Sequence, residues 1–439
     1  MRKFDLIADN AVIISPHTNY KPQIGAVCVK DTQIVKVGPG NFLPSDAIEY
    51  IDAKGKILMP GLINGHCHGD MAFAKGLGDG MTLLEQIDAF RDHNWYLDCI
   101  EDEDRYWARI LTYAESLLAG VTCITENMYW SLSSAQDAAR ETGIRAALAE
   151  DICRDFANPE ELISDDEIAA FIEKCDAAGM HPVLRIVSEE DFSNDLLAAV
   201  ARKTASHPCR TTCHIGETTW RIKASLDRTG LFPIEALDRY GLINDHFIGS
   251  HGVWLEPSEI DILAKRGAHI VNTPICELKI ADGLAPIPAL LEAGVNVSLG
   301  TDGALWNNSN DLFREMKCMA VAHNQPNNPR AIDFRRILDM ATINGAKTLG
   351  LENEIGSIEV GKQADFILID ADRPHMQPLR TEGERENVAS SVVFCATGRD
   401  VHSVFAGGKC LVREGELLYE DTGKAIENVL RISKRVASQ

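Results

Sequence analysis

The sequence predicts an α/β protein, a parallel (β/α)₈ barrel carrying a small β-sandwich domain formed by both termini. Three observations predict it. Eight short apolar segments alternate with helical patterns through the middle of the chain. Both ends instead show period-two alternation with turn residues. At 439 residues the chain holds a barrel of roughly 250 residues with room for one further unit.

The first flank alternates apolar and polar positions, as in Asp5-Leu6-Ile7-Ala8-Asp9, and is punctuated by Gly38-Pro39-Gly40. That pattern predicts short antiparallel strands with one face solvated. The far flank repeats it at Phe366-Ile367-Leu368-Ile369 and at Val404-Phe405-Ala406, where Gly407-Gly408 marks a hairpin turn before Lys409. The expected division is therefore residues 1–57 with 355–439 as one composite β-domain, and 58–354 as the barrel.

Candidate barrel strands are Ile57–Asn64, Val121–Glu126, Ile144–Glu150, Val183–Val187, Arg210–Ile215, Phe247–His251, Ala268–Asn272 and Val295–Leu299. Helical signals lie between them. Pro257 to Gly267 has an early acid, an apolar face, late basic residues and a closing glycine. Ile287 to Ala293 is closed by Gly294.

Bulk properties exclude several function classes. The formal net charge of −22 opposes nucleic acid and anionic membranes as partners. No apolar run approaches the ~20 residues that span a bilayer. Twelve cysteines, mostly in apolar runs and without a CxxC pair, read as reduced and buried. With charges at Arg2, Lys3, Asp5 and Asp9 in place of a secretory signal, a cytoplasmic protein is expected.

Catalytic groups of barrels sit at the C-terminal strand ends. The first strand ends in Gly65-His66-Cys67-His68, and residues i and i+2 of a strand share a side. The fifth ends in Cys213-His214-Ile215-Gly216-Glu217, the sixth in Ser250-His251-Gly252, and the eighth runs into Thr301-Asp302-Gly303. His66, His68, His214 and Asp302 together suit one divalent metal, zinc first and ferrous iron second. A bound metal lowers the pKa of water from about 15.7 to roughly 7. Asp302 can both ligate and accept the water proton, His251 can orient the water, and Glu217 can carry a proton to a ring nitrogen.

These segments resemble the amidohydrolase superfamily. The likeness rests on Met59 to His68, on His214 to Glu217, on Ser250-His251, and on Leu299 to Ala304. Asn307-Asn308 and Gly356 to Asp365 extend it over nearly the whole chain. It is strongest to the aminohydrolase branch that includes the methylthioadenosine/S-adenosylhomocysteine deaminases and the triazine hydrolases. The resemblance implies His66, His68, His214 and Asp302 as metal ligands and Glu217 with His251 as the proton-handling pair. It also implies one metal, since no lysine stands on the fourth strand; Lys174 is nearest, in a helical pattern.

Departures from the family pattern fall on substrate positions. The stretch His93-Asn94-Trp95-Tyr96 lacks the family's glutamate, and Ser188-Glu189-Glu190 lacks its histidine. Thr273-Pro274-Ile275-Cys276-Glu277 replaces an Asn-Pro-x-Ser-Asn segment, and Leu305-Trp306 replaces small residues. Trp95, Glu189, Glu277 and Trp306 are therefore the expected substrate contacts. The carboxylates would accept hydrogen bonds from ring amino groups, and tryptophan would stack.

The expected function is metal-dependent deamination of an amino-substituted nitrogen heterocycle, by a protein that can self-associate. The alternatives are triazine dechlorination or dealkylamination, cyclic amide hydrolysis and, in another class, a metal-free scaffold barrel.

Overall fold

The computed structural model describes residues 2–93, 100–128, 131–155, 158–186 and 188–437. Its centre is an eight-stranded sheet in which every neighbouring pair is parallel. In chain order the barrel strands are Leu62–Cys67, Val121–Asn127, Arg145–Asp151, His181–Arg185, Arg210–Ile215, Phe247–His251, His269–Asn272 and Asn296–Leu299. They are almost wholly buried, as strands covered on both faces must be.

The sheet's two ends meet through the residues that follow the last strand. Thr301 and Asp302 both donate backbone N–H groups to the His66 carbonyl, at 3.1 and 3.0 Å. Asn64 locks the same seam: its Nδ2 donates to Thr301 Oγ1 at 2.8 Å and its Oδ1 accepts from Thr301 N at 3.1 Å. Gly300 permits this approach, because a Cβ there would lie 2.8 Å from the His66 carbonyl oxygen.

The expected first strand, Ile57–Asn64, is two strands. Lys56–Pro60 joins the terminal sheet, antiparallel to Phe366–Asp370, while Leu62–Cys67 opens the barrel. Pro60 has no N–H to continue a ladder, and the Gly61 N–H turns to the Asp365 carbonyl at 3.1 Å. A continuous apolar run conceals this break.

Both termini contribute to one nine-stranded sheet. Its strands share a core of Leu6, Ala8, Ile13, Val27, Leu58, Phe366 and Phe405, separate from the barrel's. Not all of it is antiparallel: Phe4–Ile13 runs parallel to Ala47–Asp52 and to Lys56–Pro60. The hairpin of Gln23–Lys30 and Gln33–Gly38 intervenes, so the chain crosses to the other edge of the first strand and returns in the same direction. The Gly407–Gly408 turn is present, both residues at positive φ between Val401–Ala406 and Lys409–Arg413. The C-terminal flank is not purely β. Helix Thr422–Ala437 buries Val429 and Ile432 in the barrel's core cluster, and its Arg435 pairs with Asp104.

Helices Pro257–Arg266 and Ile287–Ala293 match the sequence reading, each ended by a left-handed glycine, Gly267 and Gly294. Lys174 lies on helix Asp165–Ala177. No helix among the described residues is long and apolar enough to cross a membrane.

Candidate functional site

The strand ends bring the sequence-selected residues together at one end of the barrel. His66, His68 and His214 each offer a ring nitrogen, and these atoms lie within 4.8 Å of one another; His66, His251 and Asp302 satisfy the same condition. Ring centroids of His66 stand 5.0 Å from both His68 and His214, and 5.4 Å from His251. Asp302 Oδ1 lies 3.6 Å from His66 Nε2 and 3.5 Å from His68 Nε2. His66 Nε2 is buried and has no hydrogen-bond partner. A buried imidazole nitrogen facing other imidazoles and a carboxylate is a donor set that fits a divalent cation.

Electrostatics agree with that chemistry. Burial pushes the pKa of His66 down and those of His68 and His214 well down, which favours the neutral ligating form. Burial also works against the Asp302 carboxylate, yet the adjacent His66 ring and the other surrounding imidazoles hold its pKa well below the usual range. His251 differs: burial opposes its charge, but Glu217, Glu277 and Asp302 outweigh it and raise its pKa to about 10.

Two of these residues hold backbone conformations that L-residues rarely adopt, His251 at φ 75° and Asp302 at φ 62°. His251 ends the sixth barrel strand and Asp302 follows the eighth by three residues, and tertiary bonds fix each. Asn272 Nδ2 donates to the His251 carbonyl at 3.1 Å, and Asp302 is tied to His66 as above. Strain of this kind gathers at functional sites.

Glu217 stands beside the cluster with its Oε1 3.7 Å from His251 Nε2. Its other oxygen accepts from Arg221, one helical turn on, and Arg221 also reaches Glu190 at 3.1 Å. His251 Nδ1 meets Thr273 Oγ1 at 3.1 Å and Glu277 Oε1 at 3.7 Å. Cys276 Sγ donates to Asp302 Oδ2 at 2.9 Å.

The four residues expected to contact substrate separate. Trp95 lies outside the described residues. Trp306 is against the site, its ring 5.3 Å from that of His68. Glu189 is fully buried and accepts the Gly216 and Glu217 N–H groups at 2.7 and 3.3 Å. Glu277 binds the Asn272 amide at 2.8 Å and the Thr273 N–H at 3.0 Å. Both carboxylates thus engage the backbone and side chains that carry Glu217 and His251.

The sequence reading passed over Asn127, Arg221 and Cys276, which touch these residues directly. Asn127 was within reach of the strand-end rule, since it closes the second barrel strand. Arg221 follows Glu217 by four residues, the spacing of a helical ion pair.

With this geometry established, the sequence pattern of the amidohydrolase family matches residues 57–411. The chain belongs to the amidohydrolase family. This amidohydrolase is accordingly a hydrolase acting on carbon–nitrogen bonds. It is 33% identical over 391 residues to a 5′-deoxyadenosine deaminase of Methanopyrus kandleri, covering 87% of each chain. It is 32% identical over 420 residues to a 5-methylthioadenosine/S-adenosylhomocysteine deaminase of Syntrophobacter fumaroxidans, covering 94% of this chain and 93% of the other. The crystal structure of a Xanthomonas campestris adenosine deaminase with bound zinc superposes over 100% of both chains, with a TM-score of 0.89 at 28% identity. An atrazine chlorohydrolase of Arthrobacter aurescens shares the fold, with a TM-score of 0.87 at 21% identity over 98% of this chain and 100% of that one.

Proposed function

We propose that this amidohydrolase is a metal-dependent hydrolytic deaminase that replaces the exocyclic amino group of a nitrogen heterocycle by oxygen and releases ammonia. The observation that carries this reading is the meeting of His66, His68, His214 and Asp302 at one barrel end, with the Glu217–His251 pair beside them. The deaminase names of the relatives support it and make 6-aminopurine derivatives the first substrates to test.

We assign His66, His68, His214 and Asp302 as ligands of one divalent cation, zinc before iron, because imidazoles with one carboxylate suit both. When bound, that cation acidifies the hydrolytic water enough for attack at neutral pH. The rest of the chemistry belongs to the chain. Asp302 accepts the proton released by the water. His251 orients the water by donating from Nε2. Glu217, its Oε2 occupied by Arg221, transfers a proton through Oε1 to the ring nitrogen beside the attacked carbon. A carbon–oxygen bond forms, the proton held by Asp302 passes to the amino group, the new hydroxyl proton restores Glu217, and the carbon–nitrogen bond breaks. One water is consumed and one ammonia leaves.

Glu189 and Glu277 are better read as braces of the Glu217 and His251 segments than as substrate contacts, while Trp306 is a candidate wall for a flat ring. The described cysteines are all free, which supports a reducing, cytoplasmic setting. The test is ammonia release by the zinc-loaded or iron-loaded chain across 5′-deoxyadenosine, other aminopurines, aminopterins, cytosine-like rings and amino-triazines. Release of an alkylamine or halide with no ammonia would transfer the assignment to the triazine-type reactions.

A further inference from the structure

The structure points to one residue, Asn127, as the positioning residue for both histidines of the His66-Cys67-His68 segment; we infer this on top of the metal reading above. Asn127 ends the second barrel strand, immediately beside the first, and is almost fully buried. Its backbone carbonyl lies 2.9 Å from His68 Nδ1, and its side-chain Nδ2 lies 3.0 Å from His66 Nδ1. Both rings therefore meet Asn127 through the nitrogen opposite the one that faces Asp302, which lies 3.6 Å from His66 Nε2 and 3.5 Å from His68 Nε2.

The chemistry of an imidazole makes this arrangement consequential. A neutral ring carries one N–H, so a histidine that ligates through Nε2 must hold its proton on Nδ1 and needs an acceptor there. For His68 the acceptor is a backbone carbonyl, whose position the strand itself fixes. For His66 the Asn127 atom that faces the ring is Nδ2, so the amide supplies the acceptor once its two ends are exchanged and Oδ1 takes that place. That oxygen is buried and has no donor of its own, so exchanging the two amide ends costs no bond at Oδ1 and gives His66 Nδ1–H its partner. Ser250 Oγ, 2.9 Å from the same nitrogen, is the second acceptor and orients the ring from the sixth strand. One residue thus selects the ligating tautomer of two neighbouring histidines and couples the second strand to the metal site.

The test measures zinc affinity of the full-length chain by competition with a chromophoric chelator, alongside long-range ¹H–¹⁵N spectra of the zinc-loaded protein. N127L keeps the backbone carbonyl but removes the side-chain acceptor, and the expected result is zinc binding weaker by about 10–100-fold. N127D restores an acceptor and is expected to recover affinity to within a few-fold of wild type. The spectra of the wild type, which need no variant to fold, are expected to show the proton on Nδ1 of both histidines. Folded N127L with wild-type zinc affinity, or a proton on Nε2 of either ring in the loaded wild type, overturns the inference. A wild type that binds no zinc or iron at all would instead overturn the metal reading itself, so the two failures are distinguishable.

Discussion

Glu217 Oε1 and His251 Nε2 face one another at 3.7 Å across neighbouring barrel strand ends, each held from behind by a further charged side chain. Arg221 occupies the other oxygen of Glu217, and Glu277 lies behind His251 Nδ1. The pair is therefore oriented before substrate arrives. Replacing Glu217 by Gln keeps the shape and removes the transferable proton. Zinc content should stay at the wild-type level while kcat falls by about 10²–10⁴-fold, the usual worth of a positioned acid or base. Steady-state kinetics with metal analysis checks both halves, and near-normal turnover would remove Glu217 from the proton path.

His214→Ala and Asp302→Ala each delete one donor from the cluster. Both variants should bind zinc far more weakly and show no measurable turnover. Thermal melts give an independent check, because a ligand that binds only the folded chain stabilises it by about 2.7 kcal/mol at 100 times its Kd. Zinc should raise the Tm of the wild type and leave that of either variant unchanged.

The two buried glutamates separate bracing from substrate contact. Glu189→Ala leaves the Gly216 and Glu217 N–H groups without their acceptor. The expected cost is about 2–4 kcal/mol in urea denaturation, with kcat reduced more than KM is raised. Unchanged stability with a raised KM would return Glu189 to the substrate pocket.

One pH effect lies away from the site. His269 begins the seventh barrel strand; its Nδ1 is 2.9 Å from the Asn296 amide nitrogen and its Nε2 is 3.1 Å from the Asp245 carbonyl. Burial, then Arg210, lowers its pKa from 6.5 to about 4. The folded chain thus holds this ring neutral, and the unfolded chain protonates it first as pH falls. Its contribution is complete above about pH 6.5 and lost progressively towards pH 4, by about 3 kcal/mol at most. Denaturation midpoints at pH 7 and pH 5 should lie closer together for His269→Gln than for the wild type, and equal separations would contradict the assignment.

Strand ends were the most legible part of the molecule. His66, His68, His214, His251 and Asp302 each follow an apolar segment, and parallel strands put all such ends on one face. Glycine-closed helices and the Gly407–Gly408 turn were equally readable, because each depends on local backbone conformation. The break at Pro60–Gly61 was not, since hydrophobicity is continuous across it and only pairing partners reveal two sheets. Glu189 and Glu277 read as substrate contacts because their partners include backbone groups that only the folded chain brings within reach. Asn127 could be found by its place at a strand end, but its role could not, because that lies in which nitrogen of a neighbouring ring it meets.

Ammonia release by the zinc-loaded full-length chain tests the central claim most directly, with 5′-deoxyadenosine as the first substrate and the wider panel of ring amines after it. The account predicts one ammonia per ring-oxo product, loss of turnover on chelation, and recovery when zinc or iron is restored. No ammonia from any ring amine by the metal-loaded protein, or turnover that survives complete removal of metal, would contradict it.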